Sequence, residues 1–146
     1  MSDAAPDPVF TTREGVVDGQ RAVFTVNQAL GTKGKEWRGW LPWHVTVTIL
    51  LDGGLPGGDE EESLGRLEDD LRSLLGATGE VDYVGRVTTD GLRELHFYLF
   101  EQGEAHEALT AFIGRGTPRE LEHRLSFDPD WSEVEHLFAN ARAHPP

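Results

Sequence analysis

The chain has 146 residues, of which 38% are hydrophobic and 27% charged, with 26 acidic side chains against 13 basic ones for a formal net charge of −13. That length suits a single domain with a substantial core, and the lack of cysteine excludes disulfides, zinc–thiolate sites and thiol catalysis. The acidic balance argues against nucleic-acid binding, which draws affinity from basic groups that neutralise phosphates and leaves a basic patch as its footprint.

Residues 1–8, rich in Ala, Asp and Pro, are expected to be a disordered lead-in. MSDAAPDPVF carries no apolar core of a secretory leader. No apolar run reaches the roughly 18 residues of a membrane helix, so a cytoplasmic protein without membrane contact is expected. One domain is expected over 9–140, followed by a tail over 141–146.

VFTTREGVV and QRAVFTVN flank Asp18-Gly19, a hairpin signal. GTKGKEWRGWLPW reads as a loop carrying Trp37, Trp40 and Trp43. HVTVTILL alternates as a half-buried strand, with Val45, Val47, Ile49 and Leu51 on one side. After DGGLPGGD, Asp59 and Glu62 suggest a capping box. Leu64, Leu67, Leu71, Leu74 and Leu75 then recur at helical spacing up to a capping Gly76.

VGRVTTDGLRELHFYLF places Asp90-Gly91 between two β-rich runs, a second hairpin. Glu104 to Ile113 carries an apolar helical stripe, RELEHRLSF alternates as a last strand, and Asp128-Pro129 opens a short helix with Trp131, Val134, Leu137 and Phe138 inward. From residue 44 the order is β-α-β-β-α-β. The expected fold is therefore an α+β, ferredoxin-like sandwich with an added N-terminal β-hairpin and a C-terminal helix.

A two-residue turn at Asp90-Gly91 puts Thr89 opposite Leu92. Val84, Leu95, Phe97 and Leu99 then share one face with Arg86 and Arg93, and Val81, Tyr83, Val87, Glu94, His96, Tyr98 and Phe100 share the other. The first face is expected under the helices. An arginine at the core edge needs a carboxylate, so Glu68 or Asp69 is the expected partner of Arg86 or Arg93.

On the other face, neighbouring first and third strands bring His44, Thr46 and Thr48 beside Glu94, His96 and Tyr98. His44, Glu94, His96 and Tyr98 are thus the candidate ligand or acid–base site. No motif of dense metal-ligand spacing, phosphate loop or nucleophile elbow is present, so no catalytic residue, metal or cofactor is expected. The alternative to a ligand site is that this face is an exposed sheet surface or is covered by the N-terminal hairpin.

EDDL (68–71), VGRVTTDGLRELHFY (84–98) and DPDW (128–131), with QRAVFTVN before them, resemble an uncharacterised bacterial domain family related to the ribonuclease E inhibitor proteins, also called regulators of ribonuclease activity. The resemblance spans about residues 20–138 and implies a ferredoxin-like α/β sandwich. The inhibitor proteins act by binding a large endoribonuclease. The expectation for this chain is a non-enzymatic protein-interaction or regulatory module that binds another, basic protein such as a nuclease. Candidate contact residues are Trp37, Trp40, Glu60, Glu61, Glu62, His96 and Tyr98. The alternative is a small-ligand or metal-binding enzyme using the open sheet face. A free sheet edge would also permit a homo-oligomer.

Overall fold

A computed structural model describes residues 8–32 and 34–142. The expected lead-in, apart from Pro8, and the last four residues of the expected tail lie outside the described residues. The described residues form a mixed α and β domain with a six-stranded antiparallel sheet and four α-helices. In chain order the elements are β1 (Phe10–Val17), β2 (Gln20–Asn27), a 3-10 turn (Gln28–Thr32), α1 (Lys35–Trp40) and β3 (Trp43–Leu50). Then come α2 (Gly58–Gly76), β4 (Val81–Thr89), β5 (Leu92–Leu99), α3 (Gly103–Gly114), β6 (Leu121–Phe127), a 3-10 turn (Ser132–Val134) and α4 (Glu135–Arg142). Across the sheet the order is β1-β2-β4-β5-β3-β6.

Two cores sandwich the sheet. On one face, Leu64, Leu67, Leu71 and Leu75 of α2, with Ala105 and Leu109 of α3, pack on Val45, Val47, Ile49, Leu95, Phe97 and Leu99. On the other face, Trp131, Val134, Leu137 and Phe138 cover Phe24, Val26, Val84, Val87 and Tyr98. Each fully buried Leu or Phe stabilises the fold by about 1.5–3 kcal/mol relative to an exposed one. The leucine spacing of α2 thus defines one layer, and the apolar stripe of the C-terminal segment defines the other.

The sequence expectation needs correction at four places. First, β4 and β5 hold the expected pairing from Thr89–Leu92 to Gly85–His96, but the register shifts between Tyr83 and Gly85. This bulge returns Tyr83 and Val81 to the α2 face and sends Val84 to the other. Gly85 permits it, with φ of 151°, where a Cβ would collide with the Thr25 carbonyl oxygen. Second, the tryptophan segment is not a plain loop, because Lys35–Trp40 is helical. Third, α2 begins at Gly58 with no side-chain cap, so Asp59 and Glu62 form no capping box; Asp59, Glu60 and Glu61 instead place negative charge in the first turn, where the helix dipole favours it. Its last residue is Gly76 and its C-cap Ala77 is right-handed, so Gly76 supplies no left-handed cap.

Fourth, the β1–β2 hairpin lies over neither sheet face. It continues the sheet through β2–β4 pairing. Its Asp18-Gly19 turn has both residues at positive φ, which suits the right-handed twist of the paired strands. No described helix is long and apolar enough to cross a membrane.

Candidate functional site

The β3–β5 register pairs His44 with Tyr98, Thr46 with His96 and Thr48 with Glu94. His44, Glu94, His96 and Tyr98 therefore do come together. They do not form an open face, because His44, His96 and Tyr98 are buried. The His44 and His96 rings are parallel, with centroids 5.2 Å apart, and His44 stacks on Tyr98 at 4.8 Å. Tyr98 stacks in turn on Trp131 at 4.3 Å. The expected exposure of His96 and Tyr98 as partner contacts is thus overturned by Trp131 and α4. These come from the far C-terminal segment, beyond the reach of local periodicity.

His44 Nε2 lies 3.0 Å from His96 Nδ1 and 3.3 Å from Thr46 Oγ1. If His44 Nε2–H donates to His96 Nδ1, the remaining His96 ring nitrogen faces Glu94 Oε1 at 3.6 Å, too far for a hydrogen bond. That His96 Nε2 is buried and has no hydrogen-bond partner. Burial, reinforced by the facing His96, lowers the His44 pKa to about 4, so it is neutral at physiological pH. The His96 ring in turn holds the Glu94 carboxyl below its ordinary range against the opposing effect of burial.

Asp128 anchors the other end of the stack. Tyr98 Oη–H donates to Asp128 Oδ2 at 2.6 Å, and the Ser132 and Glu133 N–H groups and the Ser132 hydroxyl donate to the same carboxylate. Burial alone would raise the Asp128 pKa, but these donors hold it below the usual carboxylate range. Burial and this carboxylate push the Tyr98 phenol upward. The sequence marks Asp128 only as a helix-starting residue. Its role as the Tyr98 acceptor needs the tertiary fold.

At the hairpin tip, Arg86 Nη1 lies 3.0 and 3.2 Å from the two Glu68 oxygens. Burial opposes the Arg86 charge, yet Glu68 offsets this and holds its pKa above the ordinary value. Arg93 Nη2 meets Glu61 Oε2 at 2.8 Å, and its Nε–H donates to Thr88 Oγ1 at 2.8 Å. Asp69 is exposed and takes neither arginine. Of the acidic candidates, Glu60 meets Arg119 at 2.7 Å and Glu62 meets Arg66 at 3.1 Å within the helix. Arg119, missed in the sequence reading, also reaches Asp52.

The aromatic candidates separate. Trp37 is half-buried, its Nε1–H donating to Asp82 Oδ2 at 2.7 Å, so its indole is anchored to β4. Trp40 is 53% exposed and packs on Phe100, itself 50% exposed. Phe127, 63% exposed, packs edge-on against Trp43 at 5.1 Å. Trp43 pairs with Leu99 and Phe127, so both aromatic pairs sit at the same end of the sheet. Phe100 and Phe127 were not among the sequence candidates. Their one visible signal is an aromatic residue at the close of a strand run, followed by polar residues.

Residues 11–138 match a family of unknown function, DUF695, from β1 to the middle of α4. The chain belongs to that family. Neither a curated protein nor a solved structure matches it.

The DUF695 domain also carries a groove of about 440 Å³ on its α2 side. Asp69, Arg72 and Ser73 of α2 form its wall, with Val81, Tyr83 and Phe97 from the sheet. The Arg72 guanidinium sits 4.8 Å over the Tyr83 ring. Tyr83 Oη is buried without a hydrogen-bond partner, and burial together with the nearby Glu68 raises its pKa. Among the described residues, no group of three or more His, Asp or Glu side chains is arranged to hold a metal ion.

Proposed function

We propose that this DUF695 domain is a non-enzymatic protein-interaction module whose partner is basic. One contrast carries the reading. The side chains best suited to chemistry, His44, His96 and Tyr98, are stacked into the core, whereas Trp40, Phe100 and Phe127 stand half or more exposed on a chain of net charge −13. Exposed aromatic residues are enriched at the hot spots of protein interfaces, and a strongly acidic surface accelerates encounter with a basic partner.

Two finer expectations belong to the same proposal. The block β4-β5-β3-β6, with α2 and α3 on one face, supports a ferredoxin-like reading of the central unit, to which β1, β2 and α4 are added. Kinship with the ribonuclease E inhibitor proteins, implied by the sequence resemblance, would make a nuclease one such basic partner; fold alone does not choose it.

The test is retention of proteins from a native extract at low and high salt. Glu60 and Glu61 are poor choices for neutralisation, because each holds an internal arginine. The exposed Asp59, Asp69 and Asp70, changed together to Asn, give a cleaner variant. A salt-sensitive protein partner retained less by that variant is the expected result. Co-purification of a small molecule with no protein would sink the proposal.

The groove beside Tyr83 favours a second reading, a small-ligand binder, because its volume falls in the range of small-molecule sites. In that case the ligand would occupy the α2 side, not the His44 face. A compound whose thermal stabilisation disappears in Arg72→Ala would support it.

A further inference from the structure

Trp40 closes α1, and Phe100 is the first residue after β5. Their ring centroids are 4.9 Å apart, with planes at 38°. Glu80 fixes both. Its carbonyl oxygen accepts the Phe100 N–H at 3.2 Å, and its Oε2 accepts the Trp40 indole N–H at 3.3 Å. The exposed Glu101 follows directly, its carboxylate accepting the N–H of Gly103. Two aromatic rings open to solvent are therefore flanked by two carboxylates held by backbone and indole contacts.

A guanidinium complements such a patch. Its flat face stacks on indole and phenyl rings, and its N–H fork matches a carboxylate. The chain already uses this geometry internally, with Arg38 over the Trp131 ring at 5.5 Å and Arg72 over Tyr83. A second copy of the chain is the poorer occupant, because each copy brings a charge of −13 and a two-fold contact would oppose like carboxylates. We propose that Trp40, Phe100, Glu80 and Glu101 form a docking patch that seats an arginine side chain of a basic partner protein. This rests on the protein-binding reading above and narrows it to one surface and one side-chain chemistry.

The four tryptophan indole N–H signals in a 15N-labelled sample report on the patch directly. Three probes are titrated into the full chain at about 0.15 M salt, where long-range attraction is screened: a short glycine-spaced peptide with two arginines, its lysine counterpart and its uncharged citrulline counterpart. The expected result is a saturable shift of the Trp40 indole signal by the arginine peptide, with the buried Trp131 signal unmoved. The lysine peptide should bind about two- to fivefold more weakly, the range of an exposed cation–π contact, and citrulline should give no shift. Phe100→Ala should weaken the arginine peptide about fivefold or more, as truncation of an interface hot spot does. Glu14→Gln, on edge strand β1 at the opposite end of the sheet, should leave it within about twofold. Melting of each variant checks the fold, and Glu80→Gln serves if Phe100→Ala does not fold. If both peptides instead move α2 amides and leave the Trp40 signal still, the patch is wrong and acidic binding survives elsewhere. Silence of every signal with both cationic peptides would overturn the patch and the basic-partner reading together.

Discussion

Arg93 is only 3% exposed beneath the β4–β5 turn, and its guanidinium is held by Glu61 on the first turn of α2 and by Thr88 on the neighbouring strand. The arginines of the hairpin tip therefore face the chain's own carboxylates. Glu61 is itself nearly half exposed, so its loss lets water reach part of the cation. Glu61→Gln should cost about 1–2 kcal/mol, between the exposed-pair and buried-pair limits. The midpoint of urea unfolding measures it, and an unchanged midpoint would show that Thr88 and water suffice.

Glu68→Gln should cost more, about 2–3 kcal/mol. Glu68 is buried and meets Arg86 through both oxygens, so substitution strands a largely desolvated cation beside the buried Tyr83 hydroxyl. A double-mutant cycle with Arg86→Met separates the pair's coupling from the desolvation of either partner. A cost smaller than that of Glu61→Gln would make Arg93–Glu61 the stronger of the two ties between the hairpin and α2.

Gly85→Ala tests the bulge. The new methyl would meet the Thr25 carbonyl oxygen and the Val26 Cα across β2, at a φ that side-chain-bearing residues rarely adopt. Strain and overpacking together should cost about 3 kcal/mol or more. Loss of soluble protein or a collapsed urea midpoint is expected. Near-normal stability would mean that the strand can realign without the bulge.

Much of the framework is legible in local patterns. The leucines of α2 repeat at helical spacing, and the Asp-Gly turns sit between β-rich runs, so both hairpins and the α2 layer follow from periods of a few residues. The bulge is not legible in the same way, because VDYVGRVTT fits either phase of alternation and only β2 pressing on Gly85 selects one. Burial of the His44 face is set by Trp131 and α4, and the anchoring of Trp37 by Asp82, 45 positions away. Those contacts depend on chain returns that no window of sequence contains. The residue set His44, Glu94, His96 and Tyr98 was legible because strand order alone brings it together; its accessibility was not.

Tyr98→Phe removes one donor from Asp128 and leaves the Ser132 and Glu133 donors in place. The ring stack with His44 and Trp131 is kept, so the loss should be about 1.5–3 kcal/mol, that of one hydrogen bond to a charged group. Asp128→Ala should cost more, since it strands the Tyr98 hydroxyl and uncaps the turn that leads into α4. Equal costs would mean that the cap contributes nothing beyond the Tyr98 contact. Paired thermal melts of the two variants decide this.

Stability should fall as pH drops from about 6.5 to about 4, and His44 should be one cause. Its unfolded value is 6.5 and its folded value about 4, so in that window the unfolded chain binds a proton that the folded chain refuses. The stabilisation is complete above pH 6.5 and is lost as pH falls through the folded value, amounting to at most about 3 kcal/mol. His96 and Arg124 oppose the proton on His44, while Asp128 and Glu94 favour it. His123 and His136, also lowered by burial, add to the slope in the same direction. His44→Gln removes only the His44 share, so its urea midpoints at pH 7.5, 6 and 5 should fall less steeply than those of the parent chain, whatever the starting stability. Parallel slopes in the two proteins would show that His44 takes up its proton equally well folded and unfolded, which its place between His96 and Tyr98 forbids.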